Sequence, residues 1–540
     1  MKRTLLALAL FGLATASWAQ WEWPNGITPK RPQLIIPENM GTRTLGTSNP
    51  AYLPHKEKPH ILTILVNYAD SAFSVNNPKK AFDQFFNATG TLDDLGNGNF
   101  VNHGSVSKYF SDMSNGAFTP VFDVYGPVTL RQNMAYYGGK AGSGNDENPG
   151  ALVADALAAI TDSVKDASVF DSNEDQYIDC IYIIYAGPGQ NFGGGENTVW
   201  AKTSWTNSTF KGLKTGWYSM AGELCPITVN KMLVNDQPEN TNNLITGVGV
   251  TCHELSHAMG LPDIYPTSSA YVDNQEMEYW DLMDGGEYVM NGFCPTPYTS
   301  WEKNLMGWTI DIKTLSASQD VTMSQSTEVG GKAYKIQNSK NALEYFLLEN
   351  IQNKNWSTYI PGHGLLVYHV NEDATIYVGT HLNNTLGKPG MAVVPADGAC
   401  LSSYLIDHDP KADKLRSTQN YHNSHKGDPF PGTSNVTALN DTLGLPNFWW
   451  YTSDNDSATT ASSNGKTYKK VNMALKDISE ADGAVSFSFI ADFATGIRNI
   501  NADRQKDDSR IFSLDGRYLG NNLYALPHGI YIRGGRKIIK

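Results

Sequence analysis

The sequence predicts an α+β catalytic domain, then an all-β, sandwich-like domain, then a small β-rich C-terminal module. Three observations predict it. From His60 to Trp308, apolar runs of strand length alternate with segments of helical periodicity. After Trp308 the pattern changes to short alternating runs separated by Gly, Pro and Asn clusters, the spacing of a sandwich. A polar, charged linker from Thr495 to Ser509 then leads to a last β-like stretch with turn signals at Asp515-Gly516 and Gly534-Gly535. At 540 residues the chain exceeds one ordinary core, which agrees with several units.

Taken in order, residues 1–19 read as a signal peptide. Lys2 and Arg3 are the basic start, Leu5 to Ala14 the apolar core, and Ser17-Trp18-Ala19 a small-x-small cleavage site. The apolar run is too short for a permanent membrane span, so the mature protein is expected to be secreted or held at the cell surface by other means. Residues 20–56 are rich in proline and polar residues and read as a linker or short propeptide. The catalytic domain is placed at 57–308. Its expected elements are a strand over Ile61–Asn67, helices over 80–88 and 105–114, and a strand or hairpin over Phe118–Val128. A helix over Ala151–Val164 and a buried strand over Ile178–Tyr185 follow, then a Gly-rich loop at 187–195 and a long polar stretch.

The most informative segment is His253-Glu254-Leu-Ser-His257-Ala-Met-Gly260-Leu-Pro-Asp263. On a helix, His253 and His257 lie one turn apart on one face, so their imidazoles can converge on one zinc ion. Glu254 is placed to take a proton from a zinc-activated water. Gly260 permits a sharp turn that brings Asp263 round as a third ligand, although Asp281 and Asp284 also lie nearby in sequence. Two histidines and a carboxylate leave a tetrahedral position open, as catalysis requires. The short H-E-x-x-H pattern recurs by chance in helices; the glycine and the acid at these spacings are what the chance reading does not require.

Met283, in the turn-rich run Tyr279-Trp-Asp-Leu-Met-Asp-Gly-Gly286, is expected to form a Met-turn beneath the metal. Many such sites carry a tyrosine two residues later to stabilise the oxyanion. Here that position is Gly285, which leaves Tyr288 and Tyr298 as candidates for the role. Upstream, Asp171, Asn173, Asp175 and Asp179 stand at the spacing of a calcium loop, with a backbone carbonyl expected from Tyr177. Gln176 occupies the usual glycine position and Tyr182 that of the bidentate glutamate, so a solvated acidic turn is the competing reading.

A formal net charge of -13 argues against nucleic acid or an anionic membrane as partner. Hydrophobic residues at 40% and charged residues at 18% describe a folded chain rather than a disordered one. The five cysteines are scattered without a C-x-x-C pair, which excludes a zinc cluster or redox centre built from them and leaves at least one unpaired.

The zinc segment with Trp280-Asp-Leu-Met-Asp-Gly-Gly286 resembles the immune inhibitor A family of bacterial secreted metallopeptidases. Val66-Asn-Tyr-Ala-Asp70, Asp179 to Gly187, Trp301 to Trp308, Glu344 to Asn350 and Gly427 to Gly432 carry the same likeness, which spans about 60 to 492. The resemblance implies a metzincin-like catalytic domain followed by a β-rich domain at 309–494. It also implies zinc on His253, His257 and Asp263, Glu254 as general base, and protein or peptide substrates. The segment 495–540 is similar to type IX secretion sorting domains, which implies export machinery or surface attachment as a partner. The expected reaction is hydrolysis of peptide bonds in extracellular proteins. Two other readings compete: a surface-binding protein whose β modules do the work, and a zinc hydrolase acting on glycans or esters. The intact Glu254 weighs against the first, and the extended motif with Met283 against the second.

Overall fold

The computed structural model describes residues 33–34, 52–90, 102–139, 146–225, 245–267, 276–372, 382–384, 388–401, 418–451, 460–463, 466–493, 510–514, 517–533 and 536–540. The signal-like segment 1–19 and the linker 495–509 lie outside them. The catalytic half is organised on a six-stranded sheet of order β1-β5-β6-β4-β2-β3. Its strands are β1 (Gln33–Leu34), β2 (His60–Asn67), β3 (Val121–Thr129), β4 (Ile181–Pro188), β5 (Lys202–Phe210) and β6 (Leu213–Leu224). All neighbours pair in parallel except β5 and β6, which are antiparallel.

β2 and β4 are nearly continuous apolar runs because the sheet is covered on both faces. Ile61 and Leu65 of β2 and Tyr182 and Ile184 of β4 join one core. Leu62, Ile64, Val66, Ile181 and Ile183 join another on the opposite face. The first core takes Phe82, Phe85 and Phe86 of α1 (Pro78–Asn87) and Tyr109, Phe110 and Met113 of α2 (Val106–Met113). The second takes Tyr137 of α3 (Met134–Tyr137) and Leu152, Val153, Ala156, Leu157 and Ile160 of α4 (Pro149–Ile160). The helices α1, α2 and α4 fall where the periodicity places them, and α3 is an addition. Ser105 caps α2 by accepting the Lys108 amide at 3.0 Å. The long polar stretch before the zinc segment contains a two-strand meander instead, β5 and β6. Its sequence conceals this because both strands are rich in Lys, Thr, Ser and Gly, even where β6 is buried.

The second half contains a five-stranded sheet of order β12-β11-β10-β9-β7 and a four-stranded sheet of order β13-β16-β17-β8. The first comprises β7 (Ile312–Thr314), β9 (Ala333–Gln337), β10 (Glu344–Ile351), β11 (Gly364–Asn371) and β12 (Met391–Val393). The second comprises β8 (Gln319–Met323), β13 (Leu439–Asn440), β16 (Ala474–Ala481) and β17 (Ala484–Ile490). Phe346 and Leu348 of β10 share a core with Leu475 and Ile478 of β16 and Phe487 and Phe489 of β17. The opposite face of β10 is apolar too, and Tyr345 and Leu347 belong to the catalytic core. Residue 308 therefore marks a change of composition, with the two halves sharing one continuous core across it. Tryptophans bolt the halves together: Trp356 donates to Asp112 Oδ2 at 2.8 Å, and Trp280 to Asp428 Oδ2 at 2.9 Å.

Residues just before 57 also pack on the core. Leu53 is buried with its amide donating to Ala258 O at 3.0 Å, and Tyr52 stacks on Trp217. At the C-terminus, β18 (Ile511–Phe512), β19 (Tyr518–Gly520), β20 (Ile530–Arg533) and β21 (Arg536–Ile539) form a four-stranded sheet of order β19-β18-β20-β21. Cys180, Cys225, Cys252 and Cys294 are buried free thiols, and no disulfide links the described residues. No helix among the described residues is long and apolar enough to cross a membrane.

Candidate metal centre

The site helix is α5 (Val248–Met259), buried along its whole length between the β5–β6 strands and the segment 276–298. It ends at Gly260, whose φ of 113° is open to glycine and strained for other residues. The Gly260 and Leu261 amides close the last turn on His257 O and Ser256 O, both at 3.0 Å. That reversal brings Asp263 back over the helix. Its Oδ1 lies 3.4 Å from His253 Nε2 and 3.1 Å from His257 Nε2. One ligand atom from each of the three residues falls within 4.8 Å of the others, the one such group found among the described residues.

The surroundings hold these atoms in metal-binding form. His253 Nδ1 faces Leu282 O at 3.0 Å and His257 Nδ1 faces Leu261 O at 2.8 Å, so each ring turns its Nε2 inward. Glu287 adds a buried carboxylate against His253 Nδ1. Burial alone would lower the affinity of His253 for a proton, yet the Glu287 and Asp263 carboxylates outweigh it and hold the imidazolium well above its ordinary range. His257, with less compensation, is held below it by burial. Burial would push Asp263 up, but the two histidines bring its carboxyl well below the usual range. His253 Nε2 and both Asp263 oxygens make no hydrogen bond. Two imidazoles and a carboxylate with such buried, mutually facing atoms fit a divalent metal with a position left for water. The competing acids point elsewhere: Asp281 Oδ1 accepts the Met283 amide at 2.7 Å, and Asp284 Oδ2 accepts those of Met277 and Glu278.

Glu254 is fully buried. Thr203 Oγ1 lies 2.6 Å from its Oε2, and burial pushes the carboxyl up to about 8. Met283 is buried, and its carbonyl accepts the Ile264 amide at 2.8 Å, which ties its turn to the segment carrying Asp263. Tyr298 is engaged elsewhere: its hydroxyl is paired with Ser256 Oγ, and its ring stacks on Trp308. Tyr288 packs edge-on against Phe192. Tyr265, which the motif did not single out, lies nearly parallel to the His253 ring, with centroids 6.5 Å apart.

The calcium-like loop closes on itself. Asp171 accepts the amides of Asp175 and Gln176 at 2.9 Å, Asp179 that of Ser172 at 3.0 Å, and Asp175 that of Tyr177 at 2.8 Å. Asn173 bridges to Asp175. Backbone amides thus hold these acids in a closed turn, and the loop is not among the groups placed to hold a metal in the described residues.

Residues 49–310 match the immune inhibitor A peptidase M6 catalytic domain. This segment, a little under half of the chain, is identified as a peptidase M6 catalytic domain, and it contains every member of the centre just described. Immune inhibitor A of Bacillus thuringiensis subsp. alesti is 28% identical over 376 residues, covering 63% of this chain and 52% of that protein. The pre-pro-metalloprotease PrtV of Vibrio cholerae serotype O1 (strain M66-2) is 24% identical over 295 residues, covering 46% and 30%. The chain thus spans about half the length, or less, of these curated relatives. The crystal structure of wild-type OgpA from Akkermansia muciniphila aligns at 10% identity over 63% of this chain and 94% of that one, with a TM-score of 0.24.

Proposed function

We propose that the protein is an exported zinc endopeptidase of metzincin type. The observation that carries this reading is the convergence of His253, His257 and Asp263 beside the carboxylate of Glu254. A zinc ion on these three ligands would lower the pKa of a bound water towards neutrality and polarise the scissile carbonyl. Glu254 accepts the water proton and returns it to the leaving amine, and its raised affinity for a proton suits that double duty. Leu282 O, Leu261 O and Glu287 hold the imidazoles in register, and the Met283 turn supports Asp263 from below. Export rests on the signal-like residues 1–19, and the C-terminal four-stranded sheet is the segment assigned to sorting or attachment.

The test compares wild type with Glu254→Gln. Metal analysis should find one zinc in both, while cleavage of casein falls by about 100-fold or more in the variant and is abolished by a chelator in the wild type. A variant that cleaves casein at the wild-type rate, or a wild type without zinc, sinks the reading.

A further inference from the structure

We infer that Thr203, supported by Ser219, is a positioning residue for the general base: its hydroxyl pins one oxygen of Glu254 and leaves the other to work. This rests on the zinc-peptidase reading of the centre.

The hydroxyls of Thr203 on β5 and Ser219 on β6 stand directly opposite each other in the antiparallel ladder, 2.8 Å apart. Both residues are fully buried. Thr203 Oγ1 is 2.6 Å from Glu254 Oε2 and 2.7 Å from Glu254 O, and Ser219 Oγ is 3.2 Å from the same carbonyl. Each hydroxyl has a single proton to donate. The assignment that puts a proton in each of the two shorter side-chain contacts has Ser219 donating to Thr203 and Thr203 donating to Oε2. Glu254 Oε1 is then the oxygen of that carboxylate left buried and without a hydrogen bond.

A buried carboxylate beside a metal centre has several rotamers open to it, including one that swings onto the metal. A short hydrogen bond from the sheet selects one of them. The anchor is itself rigid. Lys202, the neighbour of Thr203, is buried in an ion pair with Asp146 at 2.6 Å, which fixes β5 from the opposite face of the sheet. A threonine that merely satisfied its own hydroxyl would need only the helix carbonyl. The 2.6 Å approach to Oε2 goes beyond that need.

The test uses Thr203→Val, which keeps the shape and removes the donor, with Thr203→Ser as rescue and Thr203→Cys as a weak donor of similar size. Zinc affinity is measured by competition against a chromogenic chelator, alongside thermal melting and steady-state cleavage of a peptide. The inference expects Thr203→Val to bind zinc within about 2-fold of wild type and keep its KM while kcat falls about 10- to 100-fold, the worth of a hydrogen bond to a charged group. Thr203→Ser should recover most of kcat and Thr203→Cys should lie between. If Thr203→Val does not fold, the Cys–Ser comparison decides alone. Equal kcat in Val or Cys and wild type overturns the inference, as does a loss that only tracks zinc or melting temperature and that serine does not recover. Glu254→Gln is run in parallel. Activity in that variant would remove the underlying reading, whereas an inactive Glu254→Gln with a fully active Thr203→Val would remove only this one.

Discussion

At the scale of single residues, the centre depends on what is missing from a side chain as much as on what is present. A Cβ on Gly249, in the first turn of α5, would lie 1.9 Å from Glu287 O, and one on Gly247 would lie 2.2 Å from Gly292 C. These are backbone atoms and cannot be relieved by a rotamer change. Gly249→Ala should therefore cost about 3 kcal/mol or more, at the upper end of overpacking, and lower zinc content as well, because Leu282 and Glu287 hold His253. Calorimetry and metal analysis check this; an unchanged melt with full zinc would refute it. The third ligand can be tested at the same scale. Asp263→Asn should lose zinc in a competition titration, while Asp281→Asn and Asp284→Asn should retain it, since those carboxylates are occupied by backbone amides. His253, Glu254, His257 and Asp263 were legible in the sequence because one helix and one turn bring them together. Thr203, Ser219 and Glu287 were not, because tertiary folding delivers them from other elements and no local spacing marks them.

At the scale of elements, the Met283 turn and α6 (Ser300–Leu305) are joined by two buried acids. Thr299 and Glu302 form a reciprocal cap at the start of α6, using Glu302 Oε2. Glu302 Oε1 and Asp281 Oδ2 are buried without other partners, and a proton shared between the two acids would satisfy both. Burial pushes Asp281 up to about 7 and Glu302 well above its ordinary value. Unfolded, both titrate near 4. Folded pKa values above the unfolded ones mean a stabilising contribution that is complete below about pH 4 and is lost as pH rises through about 7. The melting temperature should therefore decline between pH 5 and 8. Asp281→Asn, whose amide can donate where the shared proton sat, should flatten that decline. Asp179, also pushed up to about 7 by burial, has the same sign and leaves part of the slope in place. A variant with the wild-type slope would rule out the shared proton. The helices α1, α2 and α4 and the apolar strands β2 and β4 were readable from periodicity, whereas β5 and β6 were not, since their Lys, Thr, Ser and Gly residues look like a polar loop in one dimension even where β6 is buried.

At the scale of the molecule, the second half is part of the catalytic core. Tyr345, Leu347, Leu366, Tyr368 and Val370 cover the side of the M6 domain that holds Trp301 and Trp308. A chain cut after residue 310 would expose that apolar surface to water and should be insoluble or melt far below the full-length protein. Scanning calorimetry of the intact chain should show one transition for the two halves. A soluble fragment with a native-like melt would contradict the shared core. The double-faced β10 has one more consequence, for how the sheet finds its alignment. In an ordinary half-buried strand, sliding by one residue turns the apolar set towards water and is punished at once. Tyr345 to Leu348 would remain greasy on both faces after such a slip, so hydrophobicity cannot choose between frames here. The choice falls to the polar residues at the ends of the run. Glu344 is fastened to Asn338 and the Tyr451 amide, Glu349 to Thr327 and the Ser300 amide, and Asn350 to the carbonyls of Met323 and Gly483. Each would be stranded by a one-residue shift, so these buried acids and amides act as the alignment marks of the strand.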